Sequence, residues 1–508
     1  MRRLPGVLAL LLVAAATHAQ VRESITVEVI EVPVYVWGAD GTPVRGLKKE
    51  AFQLFVNGRP QAIDYFDAID YGSRRAATTA AQPARDTRER RLYLLLFDLA
   101  YTPPGIIERA QKAADAAVVR SNPSTDYFAV ATYTHTHGLR FVVPFMNDYV
   151  VVRRAIATLQ PNEGGDPLGV AVASKRRKNW AEIEAKAQGI PLALSFGTGR
   201  DASSDDEAVE KVRGGLANQE TSRQPLKDDV QRQFVGLGAA AARLAALEGQ
   251  KHVVIFSVGF SPSLFRDLGP GFGEDPRLHS FMNEMLKAFR GAGVFLDSID
   301  VVGNRDDDSA ESLRRMARGT GGQLLHNTND LAEAMRRLTD DQSVVYLLGF
   351  KRGEKQEGDI DVKVTGLPRG SQISFRPGYG KPQARGELDP LQLADIVIND
   401  IPQNGLSIKL EATPKEVTIL FRPPEVVAQL VPEKPYMEAM LYVFDEHGGT
   451  ALFQSRRLPF DAKKAPSAGV AGVREPLSLA PGKYVVKALL HVAGTGAVGF
   501  ARTDLVVP

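Results

Sequence analysis

The run Leu92-Tyr93-Leu94-Leu95-Leu96-Phe97 constrains this chain more than any other segment. Six consecutive apolar residues leave no polar face, so a strand built from them must be covered on both sides, as in a parallel sheet between two helical layers. The chain beyond Phe97 alternates in the way such a sheet requires. A helix is predicted from about Gly105 to Arg120, with Ile106, Ala110, Ala113, Ala117 and Val118 on one stripe. Strands at Phe128 to Tyr133 and Leu139 to Val143 come next, then an amphipathic helix carrying Val151, Val152, Ala155, Ile156 and Leu159. The pattern resumes with strands at Val253 to Ser257, Val294 to Leu296 and Gln323 to Leu325. Helices at Pro276 to Arg290, Ser309 to Arg318 and Asp330 to Leu338 lie between and after them. Such alternation predicts an α/β domain over residues 91–342 with a doubly wound, mostly parallel sheet of Rossmann-like type. An insertion of about residues 160–248 interrupts it. The insertion holds the basic run Lys175-Arg176-Arg177-Lys178 and an acidic stretch from Asp201 to Glu210, and ends in an Ala-rich helix from Leu226 to Leu247.

The flanks read as β-structure. Residues 20–70 carry a β-branched run from Ser24 to Val36 and short strands around the turn Asn57-Gly58, an amino-terminal β-module. Residues 71–90 lack periodicity and are assigned as a linker. Residues 343–385 return to strands that close the module, since the ends of a unit often lie close together. Residues 386–508 read as short strands and turns, for which a carboxy-terminal β-sandwich of immunoglobulin-like type is the simplest account.

Residues 1–19 have the form of an export signal: Arg2 and Arg3, the apolar run Val7 to Ala16, and a small-residue cleavage site at Thr17-His18-Ala19. The run is about half the roughly 20 residues that span a bilayer, and no later segment is longer. A secreted or periplasmic protein without a transmembrane segment after signal removal is therefore expected. The chain of 508 residues contains no cysteine, so its cores must supply the stability that disulfides often give exported proteins. Lys plus Arg number 62 against 60 Asp plus Glu, and loss of Arg2 and Arg3 with the leader levels the two, which argues against nucleic acid as a partner.

In a doubly wound sheet, ligands bind at the carboxyl ends of the strands. The loop after the apolar strand reads Asp98-Leu99-Ala100-Tyr101-Thr102. With the strand before it and the alternation after it, this Asp-x-x-x-Thr resembles a von Willebrand factor A domain. Val44-x-Gly46-Leu47-x-x-x-x-Phe52-x-Leu54 with Asn57-Gly58, and Tyr346-Leu347-Leu348-Gly349 with Arg376-x-Gly378-Tyr379, are similar to the flanks of the VWFA-related proteins of Acidobacteria. The likeness covers roughly residues 22–380.

The resemblance implies a divalent cation held by Asp-x-Ser-x-Ser, a Thr on a second loop and an Asp on a third, completed by a partner's carboxylate. Asp98 and Thr102 match, and Asp166 in Gly164-Gly165-Asp166-Pro167-Leu168 stands where the family has Thr. Ala100 replaces the first serine, and Val258 in Ser257-Val258-Gly259 replaces the third-loop Asp. The metal candidates are therefore Asp98, Thr102 and Asp166 in a degenerate site that would bind Mg²⁺ or Mn²⁺ only weakly, because hard cations need several placed oxygens. No other cofactor is expected. Asp98 capping the next helix, with Pro103 and Pro104 in its first turn, is the competing structural reading.

Weaker signals have plainer explanations. His135 and His137 would share a strand face but lack a third ligand. Asp306-Asp307-Asp308 lacks the spacing of a calcium loop and suits a helix amino end. Gly259-Phe260-Ser261-Pro262-Ser263 ends in Ser where a nucleophile elbow needs Gly. Gly269-Pro270-Gly271-Phe272-Gly273 lacks dinucleotide spacing. Lys175 to Lys178 reads as a solvated face or a docking patch. The expected function is protein–protein interaction or adhesion outside the cytoplasm through the upper loops, without catalysis. A hydrolase working under the insertion or in the carboxy-terminal half, or a structural envelope component, would be the alternatives.

Overall fold

The computed structural model describes residues 29–72, 87–159, 224–260, 262–266, 274–303, 310–353, 357–380, 387–465 and 469–508. Residues 1–19, read above as an export signal, most of the linker, Asp166, Lys175 to Lys178, Gly269 to Gly273 and Asp306 to Asp308 lie outside these residues. Strands β1 (Val29–Trp37), β2 (Phe52–Val56), β3 (Arg59–Gln61) and β4 (Tyr65–Asp70) open the chain. The α/β unit comes next as β5 (Arg91–Asp98), α1 (Pro104–Arg120), β6 (Asp126–Thr134), β7 (Gly138–Met146) and α2 (Tyr149–Ala157), then a helix described over 224–244, α3. It continues with β8 (Gln250–Ser257), α4 (Pro276–Ala292), β9 (Val294–Asp300), α5 (Ala310–Thr320), β10 (Leu324–Leu325) and α6 (Leu331–Asp341).

All eight residues of β5 are buried, as the apolar run requires. The sheet order is β10-β9-β8-β5-β6-β7, parallel throughout except for the edge strand β7. The chain starts at the centre, runs out through β6 and β7, crosses back to β8 and runs out the other way. This is a doubly wound sheet whose switch point lies between β5 and β8. On one face α1, α2 and α6 bury Ile107, Val118, Ile156 and Met335 against Leu95 and Phe97. On the other, α3 and α4 bury Phe234, Leu237, Met285 and Phe289 against Leu94 and Leu96. The Ala-rich helix is thus the crossover that leads into β8. Its small residues permit close packing, Gly238 lying with its Cβ position 3.6 Å from the Met285 backbone.

After α6 come β11 (Val344–Lys351), β12 (Gly358–Val364), β13 (Gln372–Phe375) and β14 (Gly378–Tyr379). β11 runs antiparallel between β1 and β4, and β12 pairs with β2, giving two four-stranded sheets in the orders β13-β1-β11-β4 and β14-β12-β2-β3. Between them Val32, Val34, Phe52, Leu54, Tyr346, Leu348, Ile360 and Val362 form one core. The α/β unit is therefore inserted into a β-module whose halves end at Asp70 and resume at Val344. Tyr35, Trp37 and Leu347 on the outer face of this module bury against Phe295.

The carboxy-terminal unit begins with α7 (Pro390–Asn399), then β15 (Ile408–Ala412), β16 (Glu416–Phe421), α8 (Pro423–Val427) and β17 (Tyr436–Asp445). It ends with β18 (Thr450–Pro459), β19 (Ala471–Pro476), β20 (Gly482–Val492) and β21 (Val498–Val507). Sheets β15-β16-β19 and β18-β17-β20-β21 enclose Val417, Ile419, Leu441, Val443, Val486 and Leu490. Lettered in order, the strands form sheets A-B-E and C′-C-F-G, a seven-stranded immunoglobulin-like sandwich with its fourth strand on the second sheet. Tyr484 at the start of β20 donates to the Ala480 carbonyl at 2.8 Å, the tyrosine corner of such sandwiches, and buried Val486 stands two residues on where antibody domains carry a cysteine.

A helix at α7 is a departure from the all-strand reading of this region. Asp389 accepts from the Leu391 amide and Pro390 opens the first turn, a start signal that the surrounding strand pattern masks. Among the described residues no helix is long and apolar enough to cross a membrane.

Arg90 joins the two halves of the molecule. Its guanidinium donates to both oxygens of Asp395 on α7, each at 2.9 Å, with both side chains buried. Arg90→Leu should therefore cost about 3–5 kcal/mol, because Asp395 would be left charged and buried, whereas Arg90→Met with Asp395→Leu should restore most of that loss. Urea unfolding of the single and double variants checks this, and a double variant as unstable as the single one would contradict it. A second expectation concerns Lys251 on β8, whose pKa burial, and then Arg376, pulls down to about 8. Between pH 8 and 10.5 the unfolded chain holds a proton that the folded one has lost, so stability rises with pH across that window. Lys251→Met should be the more stable protein at about pH 7, and its advantage should shrink by about pH 10. An advantage independent of pH would refute the assignment.

Candidate functional site

The crevice at the switch point lies between the ends of β5 and β8, where Asp98 and Ser257 are the last residues of their strands. Ser257 Oγ donates to Asp98 Oδ2 at 2.6 Å, and the Gly259 amide donates to the same Ser257 oxygen at 3.0 Å. Asp98 Oδ1 accepts from the Ala100 and Tyr101 amides, both at 3.2 Å. The carboxylate thus spends its oxygens on the turn after its own strand and on the neighbouring strand. Asp98 is fully buried, and burial raises its pKa against the lowering effects of Ser257, the Tyr101 amide, His135 and Gln233.

Asp98 does not cap α1. The residue preceding that helix is Pro103, extended and without a side-chain cap, and Pro104 fills the first turn. Asp98 lies too far upstream and instead closes the turn after β5. The local reason is that Pro103 and Pro104 need no amide partner at the helix start, which frees the Asp98 carboxylate for Ala100 and Tyr101.

Around this staple the upper end of the sheet is sealed. Thr102 is buried and its Oγ1 has no partner, while Val258 is buried and offers no ligand atom. Asp300, the last residue of β9, is fully buried and accepts from the Val302 amide at 3.1 Å. Tyr101 packs edge-on against Phe260 and His135, with ring centroids 5.2 and 5.1 Å apart, and Phe234 of α3 meets Phe260 in turn. The His135 Nε2 lies 2.9 Å from the Ala100 carbonyl and its Nδ1 lies 3.3 Å from Asp229 Oδ2 of α3. Strand β6 stops at Thr134, so His135 and His137 do not share a strand face: both fall in the β6–β7 turn, and the His137 amide bonds Thr134 Oγ1.

These residues do not fit a hard divalent cation. Mg²⁺ needs near-octahedral oxygen donors. Here Asp98 is already triply hydrogen-bonded, Ala100 and Val258 have no side-chain oxygen to give, and the Thr102 hydroxyl and Gln233 Oε1, which have no partner, are both neutral donors of a kind that does not by itself hold Mg²⁺. Among the described residues no three His, Asp or Glu side chains converge to share an ion. Asp166 lies outside them.

Sequence reasoning singled out Asp98 and Thr102 but not Gln233, Asp229 or Asp300, which the fold brings beside them. Asp300 had a weak signal, an acid closing a strand whose other members are mostly apolar but include Asp297 and Ser298. The two α3 residues had none, because helix-to-sheet register is not written in local spacing.

Mg²⁺ or Mn²⁺ at millimolar concentration should raise the melting temperature by less than about 1 °C, since linkage stabilisation follows occupancy of the folded state. A large, saturable rise that Asp98→Ala abolishes would overturn the reading of a filled carboxylate.

No protein-family model matches the chain and no curated protein matches it. Among solved structures it is similar to an aerotolerance-related membrane protein of Bacteroides fragilis, at 9% identity over 49% of this chain and 97% of that one, with a TM-score of 0.26. It is similar also to BatB of Bacteroides thetaiotaomicron, at 9% identity over 50% and 98% of the two chains and a TM-score of 0.25. Proximal thread matrix protein 1 of the mussel byssus matches at 12% identity over 56% and 51%, with a TM-score of 0.27. Likenesses of this size carry no argument about activity; the mixed α/β class rests on the strand order itself.

Proposed function

We propose that this chain is a non-enzymatic, exported protein-binding module of von Willebrand factor A type. Its upper end recognises a protein partner without a bridging cation, through the loops and the chain inserted between α2 and α3. The observation that carries this reading is the Asp98–Ser257 hydrogen bond across the switch point. Doubly wound folds place small ligands in that crevice. A 2.6 Å hydrogen bond across this crevice, with Tyr101 and Phe260 packed together beside it, supports recognition by surface rather than binding of a small ligand. The leader-like residues 1–19 support action outside the cytoplasm, and the balanced charge supports a partner other than nucleic acid. The resemblance of the flanks to the VWFA-related proteins of Acidobacteria supports the same reading.

The test is binding by the mature chain with and without residues 165–220, using immobilised extracellular and periplasmic protein fractions of the source cell. A partner retained by the full chain, lost with the deletion and indifferent to EDTA is expected. Retention that EDTA abolishes, or that survives the deletion, would refute recognition by the inserted chain without metal.

A further inference from the structure

The larger sheet of the carboxy-terminal sandwich, β18-β17-β20-β21, has two edges that differ in how they end. The β21 edge is covered in part by the chain before β15, where the Leu406 amide donates to the Val498 carbonyl. Strand β18 has β17 on one side and, among the described residues, no backbone hydrogen bond on the other. Every residue of β18 is at least partly exposed. A strand edge of this length, with half its amides and carbonyls turned to water, is a template for a further strand.

Proteins keep such edges apart with charge, proline or a bulge. Here a register shift at Val443/Phe444 and Pro459 bound the edge, and between them the ladder from Leu452 to Leu458 is regular. Its two arginines are matched within the chain. Arg456 pairs with Glu475 at 3.1 Å, and Arg457 pairs with Glu438 at 3.1 Å while its guanidinium lies over Tyr436. Phe453 is 52% exposed and sets its ring 4.7 Å from Tyr442, at the margin of a face whose far side α7 covers.

The regular segment reads Leu452-Phe453-Gln454-Ser455-Arg456-Arg457-Leu458, with Ser455 at its centre. A two-fold axis through Ser455, perpendicular to the sheet, brings residues of the same face together in antiparallel register. Leu452 then lies opposite Leu458 of a second copy, Phe453 opposite Arg457, and Gln454 opposite Arg456. Apolar side chains meet at both ends, an arginine meets an aromatic ring, and no like charges are opposed. An axis through Arg456 or Arg457 would set two arginines against each other, and one through Gln454 would set Leu452 against Arg456.

We propose that β18 is a self-association edge: two copies of this chain pair β18 with β18 about Ser455, joining their four-stranded sheets into one. The dimer involves the carboxy-terminal unit and does not depend on the function proposed for the upper end of the α/β domain.

Sedimentation equilibrium of the mature chain between about 1 μM and about 1 mM should show a monomer–dimer equilibrium, since a single strand pair is small for a specific interface. Ser455 is exposed and faces away from the sandwich core, so Ser455→Lys and Ser455→Glu should melt as the parent does at the lowest concentration. Each variant alone sets like charges together at the axis and should weaken dimerisation about fivefold, while an equimolar mixture of the two should restore it. A chain that stays monomeric to about 1 mM would leave this edge to a strand of another protein and overturn the dimer. Association that the single variants leave undiminished, or that mixing them does not restore, would overturn it equally.

Discussion

Two consecutive arginines at the start of β5 hold this molecule together. Successive residues of a strand point to opposite faces, so Arg90 and Arg91 reach in opposite directions from one point. Arg90 crosses to Asp395 of the carboxy-terminal unit and donates to the Glu248 carbonyl on the way. Arg91 grips Asp126 with two hydrogen bonds of 2.8 Å and also donates to the Thr339 and Gln342 carbonyls, where the chain leaves the α/β unit. Its guanidinium stacks on Tyr71, the residue that follows β4 as the chain leaves the β-module. Entry, exit and the neighbouring unit are thus tied to one dipeptide. Buried pairs of this kind contribute little net stability against apolar substitutes, yet they strongly penalise any arrangement that separates the partners. What they fix is how the units are joined.

The seam between the β-module and the base of the sheet obeys the same logic. His252 on β8 lies between the rings of Tyr93 and Phe295, its Nδ1 2.9 Å from Asp297 Oδ2 and its Nε2 3.0 Å from the Tyr35 hydroxyl of β1. Asp297 also accepts from the Gln323 amide and from Gln342 Nε2. The side chains of Tyr35, His252, Asp297 and Gln342 are all buried, so each of their hydrogen bonds replaces one that water would have made, and a module docked in another register would leave several polar groups without partners. Trp37 donating to the Asp341 carbonyl at 2.8 Å adds a large apolar anchor at the same joint. Burial raises the Asp341 carboxyl to about 7, so this joint carries less charge than its composition implies.

The two ends of the sheet differ in what they leave open. At the carboxyl end the hydrogen bond between Ser257 and Asp98 spans the crevice that the topology creates, and Tyr101 and Phe260 pack edge to face beside it. At the amino end Asp126 and Asp340 are matched by arginines, while the buried Asn122 Nδ2 has no partner. A fold of this class draws attention to its carboxyl edge, yet here the polar groups without partners lie at the other edge as well. Local hydrogen-bond accounting distinguishes the two more sharply than topology does.

The sequence by itself determined the class of the central domain, because an apolar run such as Leu92 to Phe97 tolerates only a sheet covered on both faces. It also located Asp98 at a strand end, showed that Ala100 and Val258 carry no side-chain oxygen, and marked the β-rich flanks by their alternation and turns. Helix α7 was legible only in Asp389-Pro390, a signal outweighed by the strands around it. The tertiary structure alone decided that β1 and β11, at opposite ends of the α/β unit in sequence, are neighbours, that Ser257 closes over Asp98, and that Arg90 finds Asp395. Each depends on which distant segment supplies a partner for a buried polar group or an unpaired strand edge. Local periodicity records the need for such a partner and carries no information about its address.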